Sequence, residues 1–358
     1  MLRRSTINLT SSSSPRPRIA IDVMGGDRAP VAALEAARLI RDQGKLELLL
    51  VGPREVVADS GFEYVEANEV VAMSDKPARI HREKPNSSMR LAVLQVKEGK
   101  ADAAFSAGNT GALLAIGLFT LGRLPGIERP ALGGVFPTRD GQTLLIDAGA
   151  NADVKPPYLR QFGIMGSVYM ERIFGVSSPR VGLLNVGHEE GKGNQVTQEA
   201  YPLLATSGLN FVGNIEGKDV PEGAVDVVVC DGFTGNVIAK LSEGLAGVLS
   251  GWIREEIKKE KLAPLGALLL RPAFNRVKAR FAYADYGGCA PLFGLDGLVV
   301  KAHGRSDAAA IAYAINLAAQ AIEQRLVQRM KEALSQASPL PPRRERERLR
   351  VREPQAPE

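Results

Sequence analysis

The chain has 358 residues, of which 45% are hydrophobic and 24% charged, a balance typical of a soluble globular enzyme. No apolar run is long enough to cross a bilayer, and the basic, serine-rich start lacks the apolar core of a secretory signal. Three histidines and two cysteines without metal-ligand spacing predict neither a metal site nor a cofactor. Few aromatic residues and scattered basic residues argue against nucleic acid. The net charge of +5 favours an acidic partner or a phosphate-bearing substrate.

Composition along the chain predicts one domain between two tails. Residues 1–17 are expected to form a disordered lead-in, and the mixed-sign tail at 337–358 is expected to be disordered as well. A single catalytic α/β domain is predicted for residues 18–336, with a protruding amphipathic helical segment at about 254–284. The two cysteines are expected to remain free, because the rest of the chain is typical of a cytosolic protein.

Short β-branched or leucine-rich runs recur along the chain, and each ends in Gly, Ser, Asn or Asp: RIAIDVMGG, LELLLVG, ADAAFSAG, RVGLLNVG, VDVVVCDG and GLVVKAHG. Alanine-rich segments with helical periodicity, such as APVAALEAARLIRDQ, lie between several of them. This alternation predicts an α/β fold with a mostly parallel sheet flanked by helices.

Two further segments complete the predicted fold. ALGGVFPTRDGQTLLIDAGA is typical of a hairpin that turns at Asp140 and Gly141, so the sheet is expected to be mixed. SDAAAIAYAINLAAQAIEQRLVQRMKEALSQA predicts one long helix capped by Ser306 or Asp307.

The glycine-rich loops after the strands are the predicted binding site, because ligands of open parallel sheets bind beyond the carboxyl ends of the strands. We expect all of these loops at one edge. At three of them, glycines let backbone N–H groups point at a ligand beside a helix N-terminus, which is typical of phosphate binding. An ordinary turn or helix cap is the alternative at each. The candidates are Asp22, Gly25, Gly26 and Asp27; Ser106, Gly108, Asn109, Thr110 and Gly111; and Asp231, Gly232, Thr234, Gly235 and Asn236.

A fourth loop, LLNVGHEEGKGN, carries Lys192 between two glycines. It is not a P-loop, because Gly193 stands where a Ser or Thr would hold magnesium. An ammonium there suits a phosphate or a carbonyl oxygen that is becoming negative, and a solvated mobile loop is the alternative. Neither a G-x-S-x-G elbow nor an obvious cysteine–histidine pair occurs, which favours a reaction in which phosphate itself attacks. Further candidates beside loops are Lys84, Ser87, Asn194 and His303.

Six strings, in this order, resemble the PlsX family, the bacterial phosphate acyltransferases of phospholipid synthesis: IAIDVMGGDRAP, REKPNSSM, FSAGNTGALLA, NVGHEEGKGN, VDVVVCDGFTGNVIAKLSEG and YGGCAPLFGLDGLVVKAHGRSD. The resemblance runs from about Ile19 to about Ser306. It implies the fold of phosphotransacetylases and isocitrate-type dehydrogenases, a homodimer, and transfer of a fatty acyl group from acyl carrier protein to inorganic phosphate, which gives acyl phosphate.

The resemblance also implies residue roles. Lys192 and Asn236 are expected to polarise the thioester carbonyl and to orient phosphate, and Asn109 and Thr110 to bind phosphate. Two residues depart from the family pattern: Cys289 interrupts a Gly-Gly-Ala-Pro string, and Arg305 stands where a small residue is commoner. Both neighbour His303, the third catalytic candidate.

The segment KKEKLAPLGALLLRPAFNRVKARF would, as a helix, place an apolar face between basic residues. Such a face suits an anionic membrane surface or a dimer partner, and both remain open. Its members are Leu270, Phe274, Val277 and Phe281. We therefore expect a cytoplasmic protein, peripheral at the inner face of the membrane, near the membrane acyltransferase that uses acyl phosphate.

Three other functions remain as alternatives. The first is a phosphotransacetylase-like enzyme acting on a coenzyme A thioester. The second is a non-catalytic protein that binds acyl carrier protein or membrane. A dehydrogenase of the related fold has less support, because no dinucleotide fingerprint G-x-G-x-x-G is present.

Overall fold

The computed structural model describes residues 16–259, 266, 268–277 and 289–337. Within them, the strands form one 11-stranded sheet with helices on both faces. The strands are β1 (Arg18–Asp22), β2 (Glu47–Gly52), β3 (Glu63–Glu66), β4 (Ala103–Ser106), β5 (Ala131–Pro137), β6 (Gln142–Ile146), β7 (Arg180–Leu184), β8 (Asn210–Ile215), β9 (Val227–Val229), β10 (Ala290–Phe293) and β11 (Leu298–Lys301). The helices are α1 (Val31–Arg41), α2 (Arg54–Val57), α3 (Pro77–Glu83), α4 (Ser88–Lys97), α5 (Thr110–Thr120), α6 (Pro156–Phe174), α7 (Gln195–Ala205), α8 (Asp219–Glu222), α9 (Gly232–Lys259), α10 (Ala308–Glu323) and α11 (Leu326–Gln336).

The strand order is β3-β2-β1-β4-β11-β10-β5-β6-β9-β7-β8. The first five strands in this order are parallel to one another, and so are the last four. Three antiparallel pairs, β11 with β10, β10 with β5, and β5 with β6, separate the two groups. The prediction of a mostly parallel, mixed sheet is confirmed, and so is the hairpin, which is β5 and β6.

An odd number of reversals makes the two parallel groups run in opposite directions. The loops after β1, β4 and β11 therefore lie at one edge of the sheet, and the loops after β6, β9 and β7 lie at the opposite edge. The prediction that all the glycine loops share one edge is wrong. We call the first the Asp22 edge and the second the Asp147 edge, after the buried carboxylate that each contains.

The two faces of the sheet are covered differently. On one face, alternate strand residues such as Ile21 and Leu144 belong to a single apolar cluster under α1, α6 and α10. The other face has two clusters, one that includes Val299 and residues of α4 and α5, and one that includes Leu145 and Ile238 of α9. This second face is thus divided between α5 and α9.

Helix α9 is long and mostly exposed. Of its 28 residues only Gly232 and Gly235 are buried. Its exposed apolar residues recur every three or four positions, which places them in a stripe along the helix: Phe233, Val237, Leu241, Leu245, Val248, Leu249, Trp252 and Ile253. Among the described residues, no helix has the length and hydropathy needed to span a bilayer.

The C-terminal helix differs from its prediction. Asp307 caps α10, since the Ala310 N–H donates to its Oδ1 at 2.9 Å. The predicted single helix is interrupted at Arg325, whose φ of 50° is left-handed, and α11 continues beyond it. The predicted disorder at 1–15 and 338–358 lies outside the described residues. Both cysteines are buried, and they form no disulfide with each other.

Candidate active site

Asp22 is the buried centre of the Asp22 edge. Its Oδ2 accepts a hydrogen bond from the Ser106 hydroxyl at 2.6 Å, and its Oδ1 accepts one from the Met24 N–H at 3.1 Å. Burial raises the pKa of Asp22, and hydrogen bonds from Ser106 and Ser88 oppose that rise. Gly25 packs directly on this pair, since a Cβ there would lie 2.7 Å from both side-chain oxygens. Close packing is therefore one reason for glycine at position 25.

Backbone N–H groups at this edge are bonded within the protein. The Asp27 N–H donates to the Gly304 carbonyl at 2.8 Å, and the Gly108 N–H donates to the Ser106 hydroxyl at 3.0 Å. Gly26 has a φ of 104°, so its turn requires the conformational freedom of glycine. These two N–H groups are therefore used within the protein, and the phosphate contacts predicted for this edge stay predictions.

Three more candidates, Asn109, Lys84 and Ser87, make hydrogen bonds to the loop between β3 and α3 or to the turn between α3 and α4. The Asn109 Oδ1 caps α5 by accepting from the Ala112 N–H at 3.1 Å, and its amide group donates to the carbonyl oxygens of Met73 and Asp75. The Lys84 ammonium is bonded to the Asp75 carboxylate at 2.6 Å. The Ser87 hydroxyl donates to the carbonyl of residue 84. The structure therefore gives these three side chains internal contacts, and the phosphate or substrate contacts predicted for them stay predictions.

Thr110 and Gly111 form the first turn of α5. Gly111 packs on α3, because a Cβ there would lie 2.7 Å from the Pro77 ring. Thr110 is partly buried and keeps its predicted place at a helix N-terminus.

The two departures from the family pattern have structural contacts. The Nδ1 of His303 accepts a hydrogen bond from the Arg305 N–H at 3.2 Å, which shapes the turn after β11. The Arg305 guanidinium forms an ion pair with Glu243 of α9. Cys289 is buried before β10, and burial raises the pKa of its thiol to about 12. Arg305 thus ties α9 to the Asp22 edge, and the catalytic role of His303 stays a prediction.

The Asp147 edge contains a second buried carboxylate, which the sequence analysis missed. The Asp147 Oδ1 accepts from the N–H groups of Leu132, Gly149 and Ala150 at 2.9–3.1 Å. Its Oδ2 accepts from the N–H and the side-chain amide of Asn151, both at 2.8 Å. Burial raises the pKa of Asp147 and these hydrogen bonds oppose the rise. The available signal was the string LIDAGA, in which Asp follows an apolar run as it does in AIDVMGG.

The turn from β9 into α9 packs on this carboxylate. The Asp231 carboxylate caps α9 by accepting from the N–H and the hydroxyl of Thr234, each at 2.8 Å. The Gly232 N–H donates to the Asn151 carbonyl at 2.7 Å. A Cβ on Gly235 would collide with the Asp147 carbonyl oxygen. These contacts shape the turn, and the phosphate contacts predicted for Asp231, Gly232, Thr234 and Gly235 stay predictions.

Asn236, in contrast, is exposed in the first turn of α9. It lies beside the loop after β6, because a Cβ on Gly149 would be 3.5 Å from its side chain. Its amide is thus presented at the Asp147 edge.

The loop at 185–194 is ordered by hydrogen bonds to its own carbonyl groups and to α8. The Asn185 and Asn214 amides donate to the carbonyls of residues 192 and 189, at 3.0 and 2.7 Å. His188 bonds the Asp219 carboxylate at 2.7 Å. Asn194 is the N-cap of α7 and accepts from the Thr197 N–H at 3.0 Å. The Lys192 side chain is left 54% exposed, with its ammonium 4.0 Å from Glu189.

The two main catalytic candidates lie at the same edge of the sheet. Strands β6, β9 and β7 are parallel neighbours, so the start of α9 with Asn236 and the loop with Lys192 follow adjacent strands. Lys240 lies one helical turn beyond Asn236 and Glu243 lies two turns beyond it, on the same side of α9. Glu243 reaches Arg305, so α9 runs from the Asp147 edge to the Asp22 edge.

A cavity of about 990 Å³ lies elsewhere, at the amino-terminal ends of β1 and β2. Its lining carries both signs of charge, including Arg18, Glu63, Lys100 and Asp102. None of the predicted site residues lines it. Its chemistry therefore does not favour an anionic substrate.

Comparison with known proteins identifies the family. A family model described as "Fatty acid synthesis protein" matches residues 17–329. A phosphate acyltransferase from Pelotomaculum thermopropionicum is 48% identical over 325 residues, which cover 88% of this chain and 95% of that protein. One from Bacillus licheniformis is 45% identical over 326 residues, 89% of this chain and 98% of that protein. The chain belongs to the PlsX family. This membership confirms the resemblance found in the sequence and makes the protein an acyltransferase.

Solved structures agree on the fold of this PlsX family member. The EutD phosphotransacetylase from Staphylococcus aureus has a TM-score of 0.57 and 16% identity, covering 86% of this chain and 94% of that one. A branched-chain phosphotransacylase from Enterococcus faecalis has a TM-score of 0.54 and 14% identity, covering 86% and 99%. At such identities the likeness shows the fold alone, and the predicted phosphotransacetylase fold is confirmed.

Proposed function

We propose that this PlsX family member transfers a fatty acyl group from acyl carrier protein to inorganic phosphate and releases acyl phosphate for phospholipid synthesis. The observation that carries the proposal is that an exposed ammonium, Lys192, and an exposed amide, Asn236, follow adjacent parallel strands at one edge of the sheet in a chain of this family. The net charge of +5 suits an acidic carrier protein, since opposite charges steer encounter.

In the proposed mechanism, an oxygen of phosphate attacks the thioester carbonyl carbon directly. Lys192 polarises the carbonyl oxygen and stabilises the negative charge that grows on it. Asn236 orients phosphate for attack. Because phosphate is the nucleophile, the protein supplies positioning and electrostatic stabilisation, and no covalent acyl-enzyme is needed. His303 remains a candidate without an assigned step.

The deciding experiment incubates the purified protein with fatty acyl carrier protein and phosphate and detects acyl phosphate by mass spectrometry. Omitting phosphate is the control for thioester hydrolysis. The same assay with a fatty acyl coenzyme A tests the phosphotransacetylase-like alternative. Faster turnover of the coenzyme A thioester would show that coenzyme A, and not acyl carrier protein, carries the acyl group for this enzyme. Release of free carrier thiol without acyl phosphate would refute acyl transfer to phosphate.

The exposed stripe of α9 supports a second proposal, that the protein is a homodimer. A monomer rarely exposes so many apolar residues on one helix, and such a surface favours an interface. The stripe suits pairing with α9 of a second copy, because the apolar residues of the two helices would have the same spacing.

We also propose that the helical segment at 268–277 contacts the inner face of the cytoplasmic membrane. Leu270, Phe274 and Val277 are 40–56% exposed there, with Arg271 and Arg276 between them. Apolar side chains beside arginines suit an anionic lipid surface. Phe281, the fourth predicted contact, lies outside the described residues. A peripheral location would deliver a lipid-soluble product to the membrane acyltransferase that consumes it.

A further inference from the structure

The loop at 185–194, which carries Lys192, is held by side-chain amides that bond its main-chain carbonyl groups. The Asn214 amide of β8 donates to the carbonyl of residue 189 at 2.7 Å. The Gln198 amide of α7 donates to the carbonyls of residues 191 and 193, at 2.8 and 3.2 Å. A third amide, that of Asn185 at the end of β7, donates to the carbonyl of Lys192 itself at 3.0 Å. The loop is therefore tied to β7, β8 and α7.

Asn185 makes the contact nearest to the lysine. Its amide nitrogen bonds the Lys192 carbonyl, and its Oδ1 accepts from the Val186 N–H at 2.9 Å. The main-chain N–H of Asn185 donates to the Ile215 carbonyl of β8 at 2.8 Å. Because the last residues of β7 are buried, Asn185 connects the backbone of Lys192 to a fixed part of the sheet.

Two glycines allow the loop to close on Asn185 and on Lys192. Gly193 has a φ of 96°, and a Cβ there would collide with the Asn185 amide group. A Cβ on Gly187 would lie 3.1 Å from the Lys192 Cγ, so the stem of the lysine passes close over Gly187. The backbone and the stem of Lys192 are thus both placed, while its side chain stays 54% exposed at the Asp147 edge.

We propose that Asn185 is a positioning residue that holds Lys192 for acyl transfer. This role rests on the proposed function, in which the Lys192 ammonium polarises the thioester carbonyl. Both polar atoms of the Asn185 side chain bond the loop, so Asn185 acts through Lys192 and not on the substrate. A cation stabilises a developing oxyanion most effectively when it is held in place before the reaction begins. A displacement of about 1 Å at such a group costs about 10²-fold in rate.

The test is a double-mutant cycle of Asn185→Ala and Lys192→Met in the full chain, assayed with fatty acyl carrier protein and phosphate. Asn185→Ala should lower kcat by about 10- to 10²-fold, because the ammonium is no longer held in place. The KM for either substrate should change by less than about 3-fold. In the Lys192→Met background, the same substitution should lower kcat by less than about 2-fold, since no ammonium is left to position.

A second variant and a control accompany the cycle. Asn185→Asp has the size of asparagine and keeps the oxygen that accepts from Val186, but it cannot donate to the Lys192 carbonyl. It should lower kcat at least as much as Asn185→Ala, and it decides the test if the alanine variant does not fold. Asn210→Ala is the matched control, because the Asn210 amide donates to the Ser178 carbonyl at 2.9 Å, at the other end of β8. It should retain kcat.

The outcomes separate this proposal from the proposed function. Equal fold losses of kcat from Asn185→Ala in the two backgrounds would mean that Asn185 acts independently of Lys192, and the positioning role would be overturned. A change confined to the KM for phosphate would overturn it as well. Absence of acyl phosphate from the wild type would instead refute the proposed function.

Discussion

The hydroxyl of Ser106 donates a hydrogen bond to the buried carboxylate of Asp22, 2.6 Å away and 84 positions earlier in the chain. This bond joins the ends of β1 and β4, and Gly25 and Gly108 pack around it. A buried carboxylate that accepts several donors holds its loop in place only while those donors are present.

Ser106→Ala should destabilise the protein more at pH 8 than at pH 4.5. The folded-state pKa of Asp22 is raised, chiefly by burial, so folding takes up a proton and stability falls as pH rises from about 4 through the folded value. Ser106 favours the ionised form, so its loss raises that pKa further. We expect a loss of about 1–3 kcal/mol at pH 8 from urea unfolding. Ser335→Ala, at an exposed position of α11, is the control, and an equal loss at both pH values would contradict the interpretation.

Gly235→Ala should be strongly destabilising, because its Cβ would meet the main-chain carbonyl of Asp147. We expect a loss of about 1–3 kcal/mol or more in the free energy of unfolding, the usual cost of overpacking. Gly247→Ala lies on the same helix in open space and should stabilise it by about 0.5–1 kcal/mol. Thermal unfolding of the two variants checks the contrast. A tolerated Gly235→Ala would mean that close packing against Asp147 does not require glycine at this position.

Local patterns predicted most elements, because strand, glycine loop and helix each have a sequence signature of their own. The hairpin at Asp140 and the cap at Asp307 are examples. The direction of strands was not predictable in this way. It depends on long-range pairing of β10 and β5, and three reversals there separate the Asp22 edge from the Asp147 edge.

The role of the glycines in the site could not be predicted from the sequence either. A glycine at a strand–helix junction permits close approach of a ligand or of another part of the chain, and the letters alone do not distinguish the two. At Gly25 and Gly235 the partner is the chain itself. Lys192 and Asn236 were named from their glycine-rich loops, and the family resemblance added the roles predicted for them. The lowered pKa of Lys301 was not predictable from its own segment, since it depends on burial and on Lys240 of α9.

Lys192→Met should lower kcat for acyl transfer by about 10²–10³-fold, the usual cost of removing one group that stabilises an oxyanion. Its side chain is 54% exposed and its ammonium lies 4.0 Å from Glu189, so folding should be little affected. Lys218→Met, at the same edge and paired with Glu216, is the control and should retain activity. Steady-state kinetics with saturating carrier protein measures both. A near-normal rate for Lys192→Met would remove Lys192 from the mechanism.

Charges placed on the two exposed apolar surfaces should have separate effects. Leu245→Glu/Leu249→Glu on α9 should convert a dimer into a monomer, as measured by light scattering during size exclusion. Leu270→Glu/Phe274→Glu should leave the dimer intact and reduce flotation with anionic vesicles. If the α9 variant instead stayed a dimer and lost flotation, α9 would be the membrane contact and not the dimer interface.

Lys301→Met should stabilise the protein at neutral pH, because burial and repulsion by Lys240 of α9 destabilise the Lys301 ammonium. The folded-state pKa of Lys301 is about 8 against 10.5 for the free side chain, so between these values the unfolded chain binds more protons and wild-type stability rises with pH. Below pH 8 the full cost of the buried charge is present, up to about 3 kcal/mol before solvent screening reduces it. The variant should therefore exceed the wild type in urea unfolding at pH 7, and the difference should shrink towards pH 10.5. A difference that is independent of pH would mean that the Lys301 ammonium is not destabilised in the folded protein.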